Sequence, residues 1–338
     1  MRQSMILRAL LLIVAGLGAG FLPASAKEQP FTHYQIGALS APTPGPVSGG
    51  LLLMGGGDRN NDSMKWFFAK AGHGHIVVLR ASQAGEIGEE FFNDLGGIAS
   101  VETFVFAGRE AATEPRILAA LAHADGIFIA GGDQARYVRY WRGTPIAAAL
   151  DAHVAAGKPL AGTSAGLAML GDRLYGAMDG GSIVSRDALA DPFGPANTIE
   201  GDFLHLALLK GVVTDTHFKQ RDRLGRLFAF LAKAQAGRRG KPMLGLGVDE
   251  AAALAVEPDG SARVYANTPG GGAWLVDGAT LRRVAARGPL NVAHVRVTGI
   301  GADSVLHLPG GKVDRPTFVR DYRVKDGVLG PFRTLPKR

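Results

Sequence analysis

The 338-residue chain contains no cysteine. This absence excludes catalysis by a thiol, disulfide cross-links and zinc sites built on thiolates. After residue 26, no uninterrupted apolar run is long enough to span a membrane. The 48 glycines show no Gly-x-y period, which excludes a collagen-like chain. With 46% hydrophobic and 20% charged residues, the chain can bury a sizeable core, and its composition argues against global disorder.

The formal net charge is +7, from 37 Lys and Arg against 30 Asp and Glu. A positive balance favours nucleic-acid binding only where the basic residues cluster. In this sequence no basic stripe is interleaved with aromatic residues, and the excess is spread along the chain. We therefore expect no nucleic-acid partner.

Residues 1–26 have the pattern of a secretory signal peptide. Arg2 and Arg8 form a basic start, an apolar run follows at 9–21, and the segment ends in Ala24-Ser25-Ala26. The alternative is a retained membrane anchor, but the run is shorter than the roughly 20 residues that span a bilayer. We expect cleavage near Ala26, a secreted or periplasmic protein, and no stable membrane insertion afterwards.

The rest of the chain divides into a short lead-in and one domain. Residues 27–49 are rich in Pro, Ser and Gly and predict an extended N-terminal lead-in. From residue 50 to 338 we expect a single catalytic α/β domain whose C-terminal part, from about 244 to 338, is rich in β-strands. We expect those C-terminal strands to extend the same sheet rather than to form a separate subdomain.

Short apolar runs alternate with helical segments in the first half of this domain. Strands are predicted at 50–54, 75–79, 101–106, 126–130 and 159–162. Helices are predicted around 66–68 and at 86–95, 114–122 and 144–156. Continuous apolar strands alternating with helices indicate βαβ units. The expected architecture is a three-layer αβα sandwich with a mostly parallel central sheet and a C-terminal β-rich extension.

Gly162-Thr163-Ser164-Ala165-Gly166 is a G-x-S-x-G motif between a predicted strand and an apolar helix. In this context the small residues allow a sharp turn that exposes the serine Oγ and directs backbone N–H groups at a developing oxyanion. A tight turn or a phosphate cradle at a helix N-terminus is the alternative. Ser164 is the candidate nucleophile.

Gly131-Gly132-Asp133-Gln134 directly follows the 126–130 strand. Ligands bind at the carboxyl ends of strands in open parallel sheets, and glycines there allow the backbone to approach closely. The backbone amide of Gly132 could complete an oxyanion hole, and Gln134 could bind a substrate amide. Asp133 could also cap the next helix, and both interpretations can hold together.

His217 lies in a dense polar segment, 215–227, at the end of an apolar run. Histidine is the usual general base for a serine nucleophile. Arg221, Arg223 and Arg226 follow on the next helix, where they could form a solvated face or bind the carboxylates of a peptide.

Four segments taken together resemble the cyanophycinase and dipeptidase E family of serine peptidases, within the class I glutamine-amidotransferase-like fold. The resemblance runs from about residue 50 to residue 300. The segments are GGDQARYV at 131–138, AGTSAGLAML at 161–170, DTHFKQRDRLGRL at 215–227 and GLGVDEAAAL at 245–254.

The resemblance implies roles for the candidate residues. It implies Ser164 as nucleophile, His217 as general base, and the backbone amides of Gly132 and Ala165 as the oxyanion hole. It further implies no metal or organic cofactor. Substrate-pocket residues implied in the same way are Gln134, Asp215, Thr216, Arg221, Arg223 and Arg226. Members of the family cleave β-aspartyl peptides, either cyanophycin, a poly-aspartate with arginine side groups, or short aspartyl dipeptides.

This sequence departs from the family pattern at two points. Thr216 stands where cyanophycinases usually have Gln, which weakens the assignment of cyanophycin itself as substrate. The triad acid is also not evident. In the chain order serine, acid, histidine, the candidates are Asp172, Asp179, Asp187 and Asp191. We favour Asp179, because its distance beyond the serine suits the family.

The sequence therefore predicts an exported serine peptidase that hydrolyses β-aspartyl peptide bonds through an acyl-enzyme. Its partner is a peptide with β-aspartyl linkages, and a homodimer is compatible with the sequence. One alternative is an exported esterase of the α/β-hydrolase type, whose base would lie near the C-terminus, where only His294 and His307 are available. Another is a non-catalytic periplasmic ligand-binding protein of the same fold.

Overall fold

The computed structural model of the protein describes residues 29–82 and 87–332. The predicted signal peptide, 1–26, lies outside the described residues. Within the described ranges, no helix is both long enough and apolar enough to cross a membrane.

The described chain contains eighteen β-strands and seven α-helices. The strands are β1 Phe31–Gly37, β2 Gly50–Met54, β3 His75–Arg80, β4 Ser100–Phe106, β5 Gly126–Ile129, β6 Pro159–Thr163, β7 Arg173–Tyr175, β8 Ile199–Gly201, β9 Val212–Asp215, β10 Leu244–Val248, β11 Ala252–Val256, β12 Ser261–Ala266, β13 Ala273–Asp277, β14 Val292–Ile300, β15 Val305–His307, β16 Lys312–Asp314, β17 Phe318–Lys325 and β18 Val328–Pro331. The helices are α1 Asn61–Lys70, α2 Pro115–His123, α3 Gln134–Trp141, α4 Pro145–Ala155, α5 Ala165–Ala168, α6 Ser185–Ala190 and α7 Leu224–Gln235. A single turn of π-helix, Glu90–Leu95, lies where a helix was predicted at 86–95.

The first sheet has ten strands in the order β1-β4-β3-β5-β6-β2-β11-β12-β15-β16. Its centre, β4-β3-β5-β6-β2, is entirely parallel. These strands are nearly continuous apolar runs because both faces of the sheet are covered by helices. The predicted parallel sheet is confirmed, with strand bounds that agree to within one residue.

Alternate side chains of the central strands supply two cores on opposite faces of the first sheet. In β2, Leu51 and Leu53 belong to the core that also contains residues of α2, α3 and α4, whereas Leu52 and Met54 belong to the core that contains residues of α1. Helices therefore lie on both faces, and the predicted three-layer αβα sandwich is confirmed. The predicted lead-in, 27–49, contributes β1, which pairs antiparallel with β4 at the sheet edge.

The second sheet has eight strands in the order β18-β17-β14-β13-β10-β9-β7-β8. Helix α7 packs on one of its faces through Leu227, Phe228 and Leu231. The other face joins the first core through Val212 and Leu246. The β-rich C-terminal part therefore contributes to both sheets. Four of its strands, β11, β12, β15 and β16, extend the first sheet as expected, and the other five join the second because β10 pairs parallel with β9.

Candidate active site

The carboxyl ends of strands from both sheets meet at one cavity of about 230 Å³. Strands β2, β5 and β6 end there in the first sheet, and β9 ends there in the second. The three glycine-rich turns found in the sequence, at 55–57, 131–132 and 162–166, are brought together at this edge. The cavity is lined by Gly56, Gly57, Arg59, Arg80, Ile87, Phe128, Ala130, Gly131, Gly132, Thr163, Ser164 and His217.

Ser164 lies at the turn between β6 and α5 with φ 52° and ψ −118°. An L-residue rarely adopts this conformation, which is the one that lifts a nucleophile above the sheet. Two glycines make the turn sterically possible. A Cβ on Gly162 would lie 2.6 Å from the carbonyl oxygen of Gly166, and a Cβ on Gly166 would lie 2.2 Å from that of Ile129. The G-x-S-x-G pattern is therefore required by packing.

The structure brings Ser164 and His217 together, as the sequence predicts. The serine Oγ lies 2.7 Å from Nε2 of the imidazole. His217 is buried and has φ 46°, and its backbone N–H donates to the carbonyl oxygen of Gly55 at 2.8 Å. The end of β2 thus fixes the backbone that carries the imidazole.

The carboxylate beside His217 belongs to Glu250. Its Oε1 lies 2.5 Å from Nδ1 of His217. Glu250 occupies the turn by which the chain passes from β10 in the second sheet to β11 in the first. Its backbone N–H donates to Oε1 of Gln220 at 2.9 Å, and Nε of Arg221 lies 3.5 Å from its carboxylate. The contact fits a neutral imidazole that donates from Nδ1 and leaves Nε2 to accept the serine proton.

The acid predicted from chain order, Asp179, does not occupy this position. It is exposed in the loop between β7 and α6, where it lines a separate cavity with Asp187 and Asp191. Asp172 instead accepts a hydrogen bond from the backbone N–H of Gly211. The carboxylate nearest the base comes after His217 in the chain because β10 pairs parallel with β9.

Burial lowers the pKa of His217 from its ordinary value. The hydrogen bond to Glu250 acts against this shift, whereas the positive charges of Arg221 and Arg223 add to it. The imidazole is therefore neutral at neutral pH and able to accept a proton.

Gly132 and Ala165, the two residues predicted to form the oxyanion hole, both lie beside Ser164, and that role stays a prediction. Ala165 is the first residue of α5, so its N–H has no carbonyl partner within the helix. Gly132 lines the same cavity as Ser164. Asp133 caps α3, since its Oδ1 accepts from the N–H of Ala135 at 2.9 Å, so this interpretation is confirmed. Gln134 donates to the carbonyl oxygen of Tyr175 at 2.5 Å and lines an adjoining cavity.

The polar residues around His217 divide into a buried network and an exposed arginine. Arg226 contacts both carboxylate oxygens of Asp215, and both side chains are nearly inaccessible to solvent. Arg223 donates to the carbonyl oxygen of Thr216 at 2.8 Å. These four side chains interact with protein groups. Arg221 is about half exposed beside the carboxylate of Glu250, and substrate contact by any of the five stays a prediction.

Arg59 and Arg80 also line the cavity, and the sequence pattern did not reveal them. Arg59 pairs with both carboxylate oxygens of Glu90 at 2.9 and 2.6 Å. Arg80 ends β3 and is 8% exposed. The available signal was their position, since Arg80 ends β3 and Arg59 lies in the turn that follows β2, both near the carboxyl edge of the parallel sheet.

The two late histidines that an α/β-hydrolase esterase would need lie elsewhere. His294 pairs with Asp321, and His307 pairs with Asp314. In residues 29–82 and 87–332, no group of three or more His, Asp or Glu side chains is placed to hold a metal ion.

A serine, a histidine and a carboxylate in hydrogen-bonded series at the carboxyl edge of parallel strands define a serine hydrolase. The family model of peptidase family S51 matches residues 90–264, and the chain belongs to this family of serine-type peptidases. The resemblance to cyanophycinases and peptidase E enzymes is confirmed.

Two relatives agree in sequence with this assignment. The chain is 28% identical over 290 residues to a cyanophycinase from Trichormus variabilis, covering 81% of this chain and 90% of the relative. It is 32% identical over 181 residues to a cyanophycinase from Synechococcus elongatus, covering 53% and 51%. The crystal structure of a peptidase from an acI-B1 Actinobacterium aligns with a TM-score of 0.44 at 16% identity, over 85% of this chain and 98% of that one.

Proposed function

We propose that this protein is an exported serine peptidase that hydrolyses β-aspartyl peptides. The observation that carries the proposal is the hydrogen-bonded series from Ser164 through His217 to Glu250, with distances of 2.7 and 2.5 Å. Membership in peptidase family S51 and the cyanophycinase relatives support the substrate class.

In the proposed reaction, Oγ of Ser164 attacks the β-carbonyl carbon of an aspartyl residue as Nε2 of His217 takes the hydroxyl proton. The backbone amides of Gly132 and Ala165 stabilise the oxyanion. His217 then gives its proton to the leaving amine, the C–N bond breaks, and an acyl-enzyme remains. Water attacks this ester with the imidazole again as base, which releases the acid and restores the serine. Glu250 stabilises the imidazolium in both halves of the reaction.

Two arginines that line the cavity support a substrate with an aspartyl residue. In a β-aspartyl dipeptide the aspartyl residue keeps a free α-carboxylate, separated from the scissile carbonyl by two carbon atoms. Arg59 and Arg80 line the cavity that contains Ser164, and Arg59 also pairs with both carboxylate oxygens of Glu90. A substrate carboxylate there would share the Arg59 guanidinium with Glu90. Guanidinium groups bind carboxylates through paired hydrogen bonds. An α-aspartyl dipeptide also carries a free carboxylate two carbon atoms from its scissile carbonyl, so the two arginines support an aspartyl substrate in general. The preference for the β-linkage rests on the cyanophycinase relatives.

The test uses protein purified after expression of the full sequence. It is incubated with β-Asp-Arg, β-Asp-Leu, α-Asp-Arg and insoluble cyanophycin, and the products are identified by mass spectrometry. We expect hydrolysis of the β-linked dipeptides and, with Ser164→Ala, a rate lower by about 1,000-fold or more. Release of β-Asp-Arg from the polymer would assign cyanophycin as a substrate. Equal hydrolysis of α-Asp-Arg, or full activity in Ser164→Ala, would refute the proposal.

Export is a separate part of the proposal and rests on residues 1–26. Their basic start, apolar run and Ala-Ser-Ala ending favour cleavage after Ala26. N-terminal sequencing of protein recovered outside the cytoplasm should begin at Lys27. A cytoplasmic protein that retains Met1 would contradict export and leave the catalytic proposal intact.

A further inference from the structure

A second and larger cavity has a volume of about 820 Å³. It lies at the edge of the second sheet where β9 and β10 begin, opposite the edge that carries His217. This size falls within the range of small-molecule sites. We call it the basic cavity. Its lining residues are Asp172, Lys210, Gly211, Arg238, Arg239, Lys241, Pro242, Met243, Leu244, Leu275, Asp277, Arg296, Thr298, Pro309, Gly310 and Gly311.

The basic cavity is distinct from the catalytic one because it lies at the other ends of the same two strands. Lys210 and Gly211 precede β9, whereas His217 follows it. Met243 and Leu244 lie at the start of β10, and Glu250 comes just after its end. Four to five residues of strand, at about 3.3 Å each, separate the two cavities.

The rim of the basic cavity carries more positive charge than its neighbours neutralise. Five lining residues are Lys or Arg and two are Asp. Arg238 lies 3.8 Å from Asp172, and Arg296 lies 3.5 Å from Asp321. In the part of the chain that the structure describes, no ion pair involves the three remaining cations, Lys210, Arg239 and Lys241.

The floor of the basic cavity is apolar and its basic loop is braced. Met243 and Leu275 are buried beneath it. The loop that carries Arg238 and Arg239 is fixed from outside by Arg282, which donates to the carbonyl oxygens of residues 238 and 240 at 3.1 and 2.9 Å. The charged rim therefore has a backbone held in place before any ligand binds.

We propose that the basic cavity binds a soluble organic anion with an apolar body and a phosphate or carboxylate group. The apolar body contacts Leu244 and Leu275, and the anionic group pairs with Arg239 and Lys241. Both the apolar body and the anionic group are required for binding, because an exposed ion pair alone contributes about 1 kcal/mol or less. Burial of apolar surface supplies the rest of the affinity. This site is independent of the reaction at Ser164.

Isothermal titration with three probes tests the proposal. Octyl phosphate has both parts, inorganic phosphate lacks the apolar body, and octyl glucoside lacks the charge. We expect octyl phosphate to bind at one site at least 10-fold more tightly than either of the others. Equal binding of octyl glucoside would overturn the role of the rim, and equal binding of inorganic phosphate would overturn the role of the floor.

Matched variants locate the binding. The double variant Arg239→Gln/Lys241→Gln should bind octyl phosphate at least 10-fold more weakly than the natural protein. Its melting temperature should be unchanged. The control Lys65→Gln/Arg263→Gln removes two exposed cations elsewhere and should bind normally. Ser164→Ala should also bind normally, and a loss there would place the probe in the catalytic cavity and overturn the proposal. Binding to vesicles of anionic lipid without binding of octyl phosphate would overturn it in favour of a membrane surface.

Discussion

Gly56 packs directly against the imidazole of His217, so that a Cβ atom at Gly56 would lie 2.3 Å from Cε1 of the ring. Real Cβ atoms essentially never approach another atom this closely. Gly56 also has φ 101°, a conformation that L side chains rarely adopt. The position of the His217 imidazole therefore depends on the absence of a side chain at Gly56.

Gly56→Ala should lower kcat/KM by about 100-fold, because the added methyl group displaces the imidazole from Ser164. The matched control is Gly143→Ala, since Gly143 also has positive φ, 63°, but a Cβ added there would have no atom within 4 Å. The control should lose stability and keep its activity when folded. Hydrolysis of a β-aspartyl dipeptide is the assay, and equal rates in the two variants would contradict the prediction.

Glu250→Gln should lower kcat by about 1,000- to 10,000-fold, because an amide at this position no longer stabilises the imidazolium. Asp179→Asn is the control and should stay within about 2-fold of the natural protein, since Asp179 is exposed in a different cavity. Single-turnover kinetics on both variants measure the difference. A large loss of activity in Asp179→Asn with little loss in Glu250→Gln would instead identify Asp179 as the carboxylate that supports His217.

The acid limb of kcat/KM should lie below pH 6.5, the ordinary pKa of histidine, because burial lowers the pKa of His217. Activity requires the neutral imidazole and is lost as the pH falls through this lowered pKa. Arg221→Gln should move the limb to higher pH, since the charge of Arg221 contributes to the lowering. Rates measured from pH 4 to 8 at constant ionic strength test both statements. A limb at or above pH 6.5 in the natural protein would be inconsistent with them.

Arg226→Met should lower the free energy of unfolding by about 3–5 kcal/mol, because it leaves the buried carboxylate of Asp215 without its closest partner. The double variant Asp215→Leu/Arg226→Met should recover most of this loss. Arg186→Met breaks an exposed pair with Asp187 and should change stability by no more than about 1 kcal/mol. Urea unfolding measures all three. A normal stability with a raised KM in Arg226→Met would instead indicate direct contact with substrate.

The central strands were predictable from sequence because both faces of the parallel sheet are covered. This burial makes each strand a continuous apolar run, so that β2 and β6 were placed to within one residue. The second sheet was not predictable in the same way. Two of its strands, β7 and β8, have only three residues each, and several others are exposed on one face. The pairing also joins β10 to β9 across an intervening helix.

Ser164 and His217 could be identified because each has a local signature, a G-x-S-x-G turn and a polar segment at a strand end. Glu250 has no comparable signature, and the expected order of serine, acid and histidine directed attention to residues before His217. The parallel register, which pairs Gly247 with Asp215, places Glu250 beside the imidazole. That register is a tertiary property, although a carboxylate directly after a buried strand was a usable signal.

Ser164 follows a strand of the first sheet, whereas His217 and Glu250 follow strands of the second. The sheets meet where the N–H of His217 donates to the carbonyl oxygen of Gly55. Hydrolysis through these three side chains therefore requires that the two sheets are docked, and the strands and helices alone do not suffice. The return of hydrolysis after dilution from denaturant therefore times the docking of the sheets, separately from the formation of secondary structure.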